Sequence, residues 1–160
     1  MEIFHFRKTN EIKKSKLELE EKLNVEIQIK GKNLIVIGDP VEEYEASIVL
    51  DAINFGFSTK KALTLKDENI IFRVINIKNF TRKKNLRVVR GRVIGKEGKT
   101  LRTIQNISNA HILVKENEVG IIGSAESIEE ILTGITNLIR GSKQSNTYRY
   151  LEKLNKRIYG

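Results

Sequence analysis

The chain has 160 residues, 39% hydrophobic and 31% charged, which suits one ordinary domain or two small ones with a packed core and a solvated surface. With no cysteine there are no disulfides or thiolate metal sites; His5 and His111 lie far apart without a partner at metal-ligand spacing, and no stretch approaches the roughly 18 apolar residues of a membrane span. The net charge of +9 is unevenly divided: residues 1–69 carry 11 Lys/Arg against 13 Asp/Glu and residues 70–160 carry 18 against 7, so a polyanion partner is expected on the second half.

In chain order, Met1-Glu2-Ile3-Phe4 shows no basic region followed by an apolar stretch, so no signal peptide is read and a cytoplasmic location is expected. Glu2 to Phe6 reads as a strand. Residues 11–23 read as a helix carrying Ile12, Leu19 and Leu23 among many charges. Val25, Ile27 and Ile29 alternate with polar residues as a half-buried strand does, Gly31-Lys32-Asn33 is a turn, and Leu34 to Ile37 is a second strand. Asp39 before Pro40 predicts the start of a helix that runs to about Phe55, with Tyr44, Ile48 and Ala52 on its inner face and Gly56 at its end.

The second half opens with a β-branched strand over Ile70 to Ile77. Residues 81–94 predict an amphipathic helix carrying Leu86, Val89 and Val93, and residues 98–107 another carrying Leu101, Ile104 and Ile107. Strands follow near 110–115 and 118–122. Ser124 is expected to cap a helix that buries Ile128, Ile131, Leu132, Ile135, Leu138 and Ile139 and ends near Gly141. Residues 146–158 predict a last helix with Tyr148, Leu151 and Leu154 on its apolar side, suited either to packing on its own domain or to a partner.

Sliding the sequence by 85 residues aligns the halves without a gap. Asn24 to Lys30 falls on Asn109 to Lys115, Ile37-Gly38 on Ile122-Gly123, Glu45 on Glu130 and Gly56 on Gly141. The shared apolar pattern predicts two copies of one supersecondary unit.

The chemistry concentrates in residues 81–102. There Arg82, Lys83, Lys84, Arg87, Arg90, Arg92, Lys96, Lys99 and Arg102 are opposed only by Glu97. Nine positive charges in 22 residues repel one another, and a local anion is their natural compensation. Within the stretch, Val93-Ile94-Gly95-Lys96-Glu97-Gly98-Lys99-Thr100-Leu101 sets two glycines three apart between two helices. Such a turn brings backbone close to a ligand and aims a helix N-terminus at it. Gly98-Lys99-Thr100 imitates the end of a P-loop, but that motif requires glycine at position 93, which is Val93. No cluster of carboxylates or histidines supports an enzyme.

The run Ile94 to Lys99, placed between helices in this order of elements, resembles the GXXG loop of KH domains. That resemblance implies an α+β fold of two tandem type I KH-like domains, each a three-stranded sheet packed on helices. It also implies a loop that clamps about four nucleotides of single-stranded RNA beside an apolar groove. Carried onto this chain, the RNA-binding residues are Arg87, Arg90, Arg92, Gly95, Lys96, Glu97, Gly98, Lys99 and Arg102, with Ile94, Leu101 and Ile112 lining the groove together with Ile104. No cofactor or metal is implied. At the corresponding place in the first unit stands Asn10-Glu11-Ile12-Lys13, without a glycine pair and with too little chain before it for a full first helix. The expected organisation is a degenerate KH-like domain over 1–68, a gripping KH domain over 69–142 and a helical tail over 143–160.

Gly91 to Thr100 together with the tail Leu138 to Lys153 is similar to the two-KH ribosome-assembly proteins of archaea and eukaryotes, the partner-of-Nob family, and the compact length suits the archaeal branch. The resemblance covers roughly 70–155. It implies a non-enzymatic assembly factor that binds single-stranded rRNA near the 3′ end of small-subunit rRNA. The implied partners are the Nob endonuclease and the alpha subunit of translation initiation factor two, with no membrane. The alternative within the same class is a KH regulator of mRNA translation or transcription, which has no reason to keep the tail that follows Gly141.

Overall fold

The computed structural model describes residues 1–159, and the chain divides into two compact units, Met1–Glu68 and one that begins at Asn69. Gly160, the last residue of the expected tail, lies outside the described residues.

In the first unit the elements are β1 (Glu2–His5), α1 (Asn10–Leu23), β2 (Glu26–Lys30), β3 (Asn33–Ile37), α2 (Pro40–Phe55) and α3 (Thr59–Ala62), the last followed by a 3-10 turn over Leu63–Lys66. The strands form an antiparallel sheet in the order β1-β3-β2, with Phe4 opposite Leu34 and Ile27 opposite Val36. Ile27, Leu34 and Val36 are buried with Ile12, Leu19 and Leu23 of α1. Helix α2 starts at Pro40 with Asp39 in the N-cap position and stops at Gly56, whose φ of 136° only glycine adopts cheaply. Its buried face differs from the expected one. Ala46, Val49, Leu50 and Ile53 recur at i, i+3, i+4 and i+7 and point inward, joined by Ala52, whereas Tyr44 is 65% exposed.

The second unit comprises β4 (Ile70–Asn76), a 3-10 turn (Ile77–Phe80), α4 (Leu86–Ile94), α5 (Lys99–Ser108), β5 (His111–Lys115), β6 (Glu118–Ser124), α6 (Ile128–Arg140) and α7 (Gln144–Tyr159). Its antiparallel sheet runs β4-β6-β5, with Ile112 opposite Ile121 and Val114 opposite Val119. One core joins Val89 and Val93 of α4, Ile104 of α5, the sheet, six large aliphatic residues of α6, and Leu151 and Leu154 of α7. Each such aliphatic side chain contributes about 1.5–3 kcal/mol by leaving water. Two expected boundaries move. The helix predicted over 81–94 begins only at Leu86, because three like charges at Arg82–Lys84 oppose the positive end of a helix and Thr81 Oγ1 accepts from Lys83 N–H at 3.2 Å instead. Ser124 completes β6 opposite Ile70, and Ser127 takes the N-cap position of α6, the two hydroxyls lying 2.6 Å apart.

Backbone geometry repeats at the offset seen in the sequence. The positive-φ residues of the first unit are Asn24, Gly31 and Gly56; those 85 positions later, Asn109, Glu116 and Gly141, also have positive φ. Asn24 and Asn109 end α1 and α5 in the left-handed conformation. A side chain on each of these helices reaches the same place on an edge strand: Glu20 Oε2 accepts from Ile27 N–H at 3.0 Å, and Gln105 Oε1 from Ile112 N–H at 2.9 Å. The further positive-φ residues among those described are Gly95, Glu97 and Gly98.

Candidate nucleic-acid interface

Helix α4 ends because Gly95 turns to φ 77°, while its N–H still bonds Gly91 O at 2.8 Å. Glu97 and Gly98 follow at φ 54° and 76°. Gly98 N–H donates to Gly95 O at 3.2 Å and closes the turn, and α5 starts at Lys99. Thr100 is buried beneath the loop, so close that a Cβ on Gly95 would lie 2.1 Å from its Oγ1. Arg102 Nη1 donates to Glu97 O at 2.7 Å and braces the turn from α5. No side chain caps α5; Lys99 N–H is spent on Lys96 O, and the positive dipole end of the helix is what favours an anion here.

The nine cations of residues 81–102 separate into two sets. Arg90 Nη1 donates to Glu116 O at 3.0 Å and to Asn117 Oδ1 at 3.4 Å, tying α4 to the β5–β6 hairpin. Arg92 Nη2 donates to Ser142 O at 2.7 Å, just past the end of α6. These two, with Arg102, spend part of their donor forks on backbone carbonyls. Arg82, Lys83, Lys84, Arg87, Lys96 and Lys99 are exposed, and none has a carboxylate partner among the described residues.

Of the expected groove residues, Ile94 and Leu101 are half-buried beside the loop. Ile112 is 4% exposed and Ile104 fully buried, so both side chains belong to the core; β5 is an edge strand, and Ile112 reaches that edge through backbone alone, its N–H already taken by Gln105 Oε1. Three contributors escaped the sequence reading. Val88 is 54% exposed on α4, one turn from Gly91, and its position follows once Leu86, Val89 and Val93 are assigned to the inner face. Gln105 holds the strand edge, and its signal was its place 85 residues after Glu20. Thr100 forms the floor of the loop, which no local pattern announces.

A family model for the second KH domain of PNO1 proteins, described as a eukaryotic type KH-domain (KH-domain type I), matches residues 71–156. Over 150 residues the chain is 31% identical to a KH domain-containing protein of Methanocaldococcus jannaschii, a match that covers 89% of this chain and 66% of that protein. Over 123 residues it is 28% identical to RNA-binding protein pno1 of Ixodes scapularis, covering 75% of this chain and 53% of that one. The chain thus spans between half and two thirds of the length of these curated relatives. Among solved structures, Dim2p from Pyrococcus horikoshii superposes with a TM-score of 0.84 at 31% identity, covering 95% of this chain and 98% of the other. The a/eIF2alpha-aDim2p-rRNA complex from the same organism gives 0.83 at 30% identity, covering 98% and 94%. Because the matched residues hold the glycine turn, both helices that flank it and the sheet behind them, the chain belongs to the type I KH-domain family, in its PNO1-type branch.

Proposed function

We propose that this chain is a non-enzymatic, cytoplasmic RNA-binding factor of small ribosomal subunit assembly, built from two tandem KH units of which only the second grips RNA. Residues 1–68 are the unit without a glycine loop, 69–142 the gripping unit and 143–160 a helical extension of it. The ligand is single-stranded rRNA from the 3′ region of the small subunit. Its protein partners are the alpha subunit of translation initiation factor two, present with rRNA and Dim2p in the Pyrococcus complex, and the Nob endonuclease.

One observation carries the reading: the Gly95–Gly98 turn opens an uncapped helix end inside a field of six unpaired cations. Lys96 and Lys99 take phosphates at the positive end of α5, with Arg87 along α4. Bases lie against Val88, Ile94 and Leu101 and meet the backbone edge of β5. The tandem reading is supported by the shared strand order and by positive-φ residues that recur 85 positions apart. In the first unit the residues that correspond to the turn, Asn10 to Lys13, lie within α1.

The test is the double substitution Lys96→Asp with Glu97→Asp. Both side chains are exposed, so the fold should survive. The pair replaces the Lys96 cation by a carboxylate beside the one already carried at position 97, and this two-unit change of charge should weaken RNA binding at least about tenfold. Affinity near wild type, with an unchanged circular dichroism spectrum, removes the site. A competition titration between 3′ small-subunit rRNA and unrelated RNA of equal length tests the target: a ratio near one defeats the assembly reading and leaves KH-type binding standing.

A further inference from the structure

The second unit carries a hollow apart from the loop. It has a volume of about 330 Å³ and is lined by Asn79, Phe80, Thr81, Arg82 and Arg140. The Arg140 guanidinium stands over the Phe80 ring, 5.4 Å from its centroid. Phe80 is half-buried and packs against the core, so it is a fixed platform. Arg82 and Arg140 are exposed, and neither has a carboxylate partner among the described residues.

A guanidinium held over an aromatic ring is ordered before any ligand arrives and keeps its donor fork free. An ordered arginine, an aromatic ring, a second arginine and an amide side chain are the groups that stack a nucleobase and pair its phosphate. An acidic peptide would satisfy the charges but would leave the ring platform and the Asn79 amide without a role.

Position links the hollow to the RNA path. Phe80 precedes α4 by six residues. At the other end of α4, Arg92 bonds Ser142 O, two residues beyond Arg140, so the end of α4 that leads into the loop lies beside the end of α6 that carries the hollow. Helix α4 has nine residues and is about 14 Å long. A strand held at the loop therefore reaches the hollow within a few further nucleotides.

We infer that this hollow is a second nucleotide subsite, taking one base and its phosphate from the same RNA strand that the loop holds; the inference rests on the RNA-binding reading above. The experiment uses the full chain with single-stranded RNAs of about four nucleotides, the reach of the loop, and with RNAs long enough to span α4. Arg140→Gln should bind the short RNA like wild type; Arg82→Gln, the second variant in case the first perturbs folding, removes one charge of the field around the loop and should weaken the short RNA by no more than about twofold. On the long RNA each should lose about tenfold, the worth of one stacked and paired nucleotide. A 4-thiouridine near the end of the long RNA should crosslink to the tryptic peptide Asn79–Arg82. The loop variant Lys96→Asp with Glu97→Asp separates the two possible failures. Loss of short-RNA binding in that variant, with an undiminished gain from length in both arginine variants, overturns the subsite alone. Intact short-RNA binding in that variant overturns the loop reading, and this inference with it.

Discussion

Gly95 is fixed twice over, by its φ of 77° and by the Thr100 hydroxyl beneath it. Thr100 is β-branched and buried, so it cannot yield to a new methyl group cheaply. Gly95→Ala is predicted to destabilise the second unit by about 2 kcal/mol or more, the sum of left-handed strain and overlap, and to lower RNA affinity with it. Urea denaturation beside a binding titration checks both, and a loss under half a kilocalorie counts against the account. Gly91 makes the control. A Cβ there meets nothing within 4 Å, and the residue lies inside α4, so Gly91→Ala should stabilise by about 0.5–1 kcal/mol. Both glycines stand out in the sequence, but their opposite responses do not, because the difference lies in a residue five positions away that packs back under the turn. The same blindness covers the arginines. Spacing shows nine charges, yet only coordinates show that Arg90, Arg92 and Arg102 have committed donors to carbonyls, the first two of them 26 and 50 residues distant.

Elements are legible where a single face decides them. The six apolar positions read for α6 are all buried, and the glycine turn falls where expected. They become illegible where two answers share one pattern: α2 offers apolar residues on both faces, and only the sheet it covers selects Ala46, Val49, Leu50 and Ile53 over Tyr44. The α5–β5 pair shows how one element can be tuned against its counterpart. Gln105 and Glu20 accept the same edge-strand hydrogen bond, but Glu20 brings a carboxylate to the place where Gln105 brings a neutral amide. Gln105→Glu should keep the Ile112 bond and the fold while weakening RNA severalfold, since a negative charge then stands at the strand edge that the bases meet and repels the strand as a whole. Equal affinities for the two proteins would separate the strand edge from the site. On α2, Asp51 is exposed as a residue, but partial desolvation of its carboxyl and then the charge of Glu2 hold it above its ordinary value of 3.8. A carboxyl with a raised folded pKa binds its proton more tightly when folded. Its contribution to stability therefore falls as pH rises from 3.8 through the raised value, and stays low at neutral pH. Asp51→Asn should raise the melting temperature at pH 7 and flatten that limb of the pH profile; an unchanged melting temperature at pH 7 removes the effect.

At the scale of the molecule, the two units share a strand order and a set of left-handed positions but not a charge: residues 1–69 carry 11 Lys/Arg against 13 Asp/Glu, and residues 70–160 carry 18 against 7. That division, the 85-residue period and the missing glycine pair are all legible in sequence, because they are properties of composition and spacing. A polyanion binds through the phosphates it has neutralised, and each one reports itself in the salt dependence whichever bases are present. Six cations of residues 81–102 have no carboxylate partner among the described residues, and if four of them meet phosphates, the logarithm of affinity should fall with the logarithm of salt at a slope of about −3 for a single strand. Residues 69–160, which hold their own sheet and core, should reproduce both the affinity and the slope of the full chain. Residues 1–68 should bind RNA weakly, with a slope near zero, since their scaffold lacks the turn and their balance of charge is negative. A titration of the three proteins at several salt concentrations decides the matter. Comparable affinities for the two halves at moderate salt, or a slope for 69–160 well below that of the full chain, would place phosphate contacts on the first unit and overturn the division of labour.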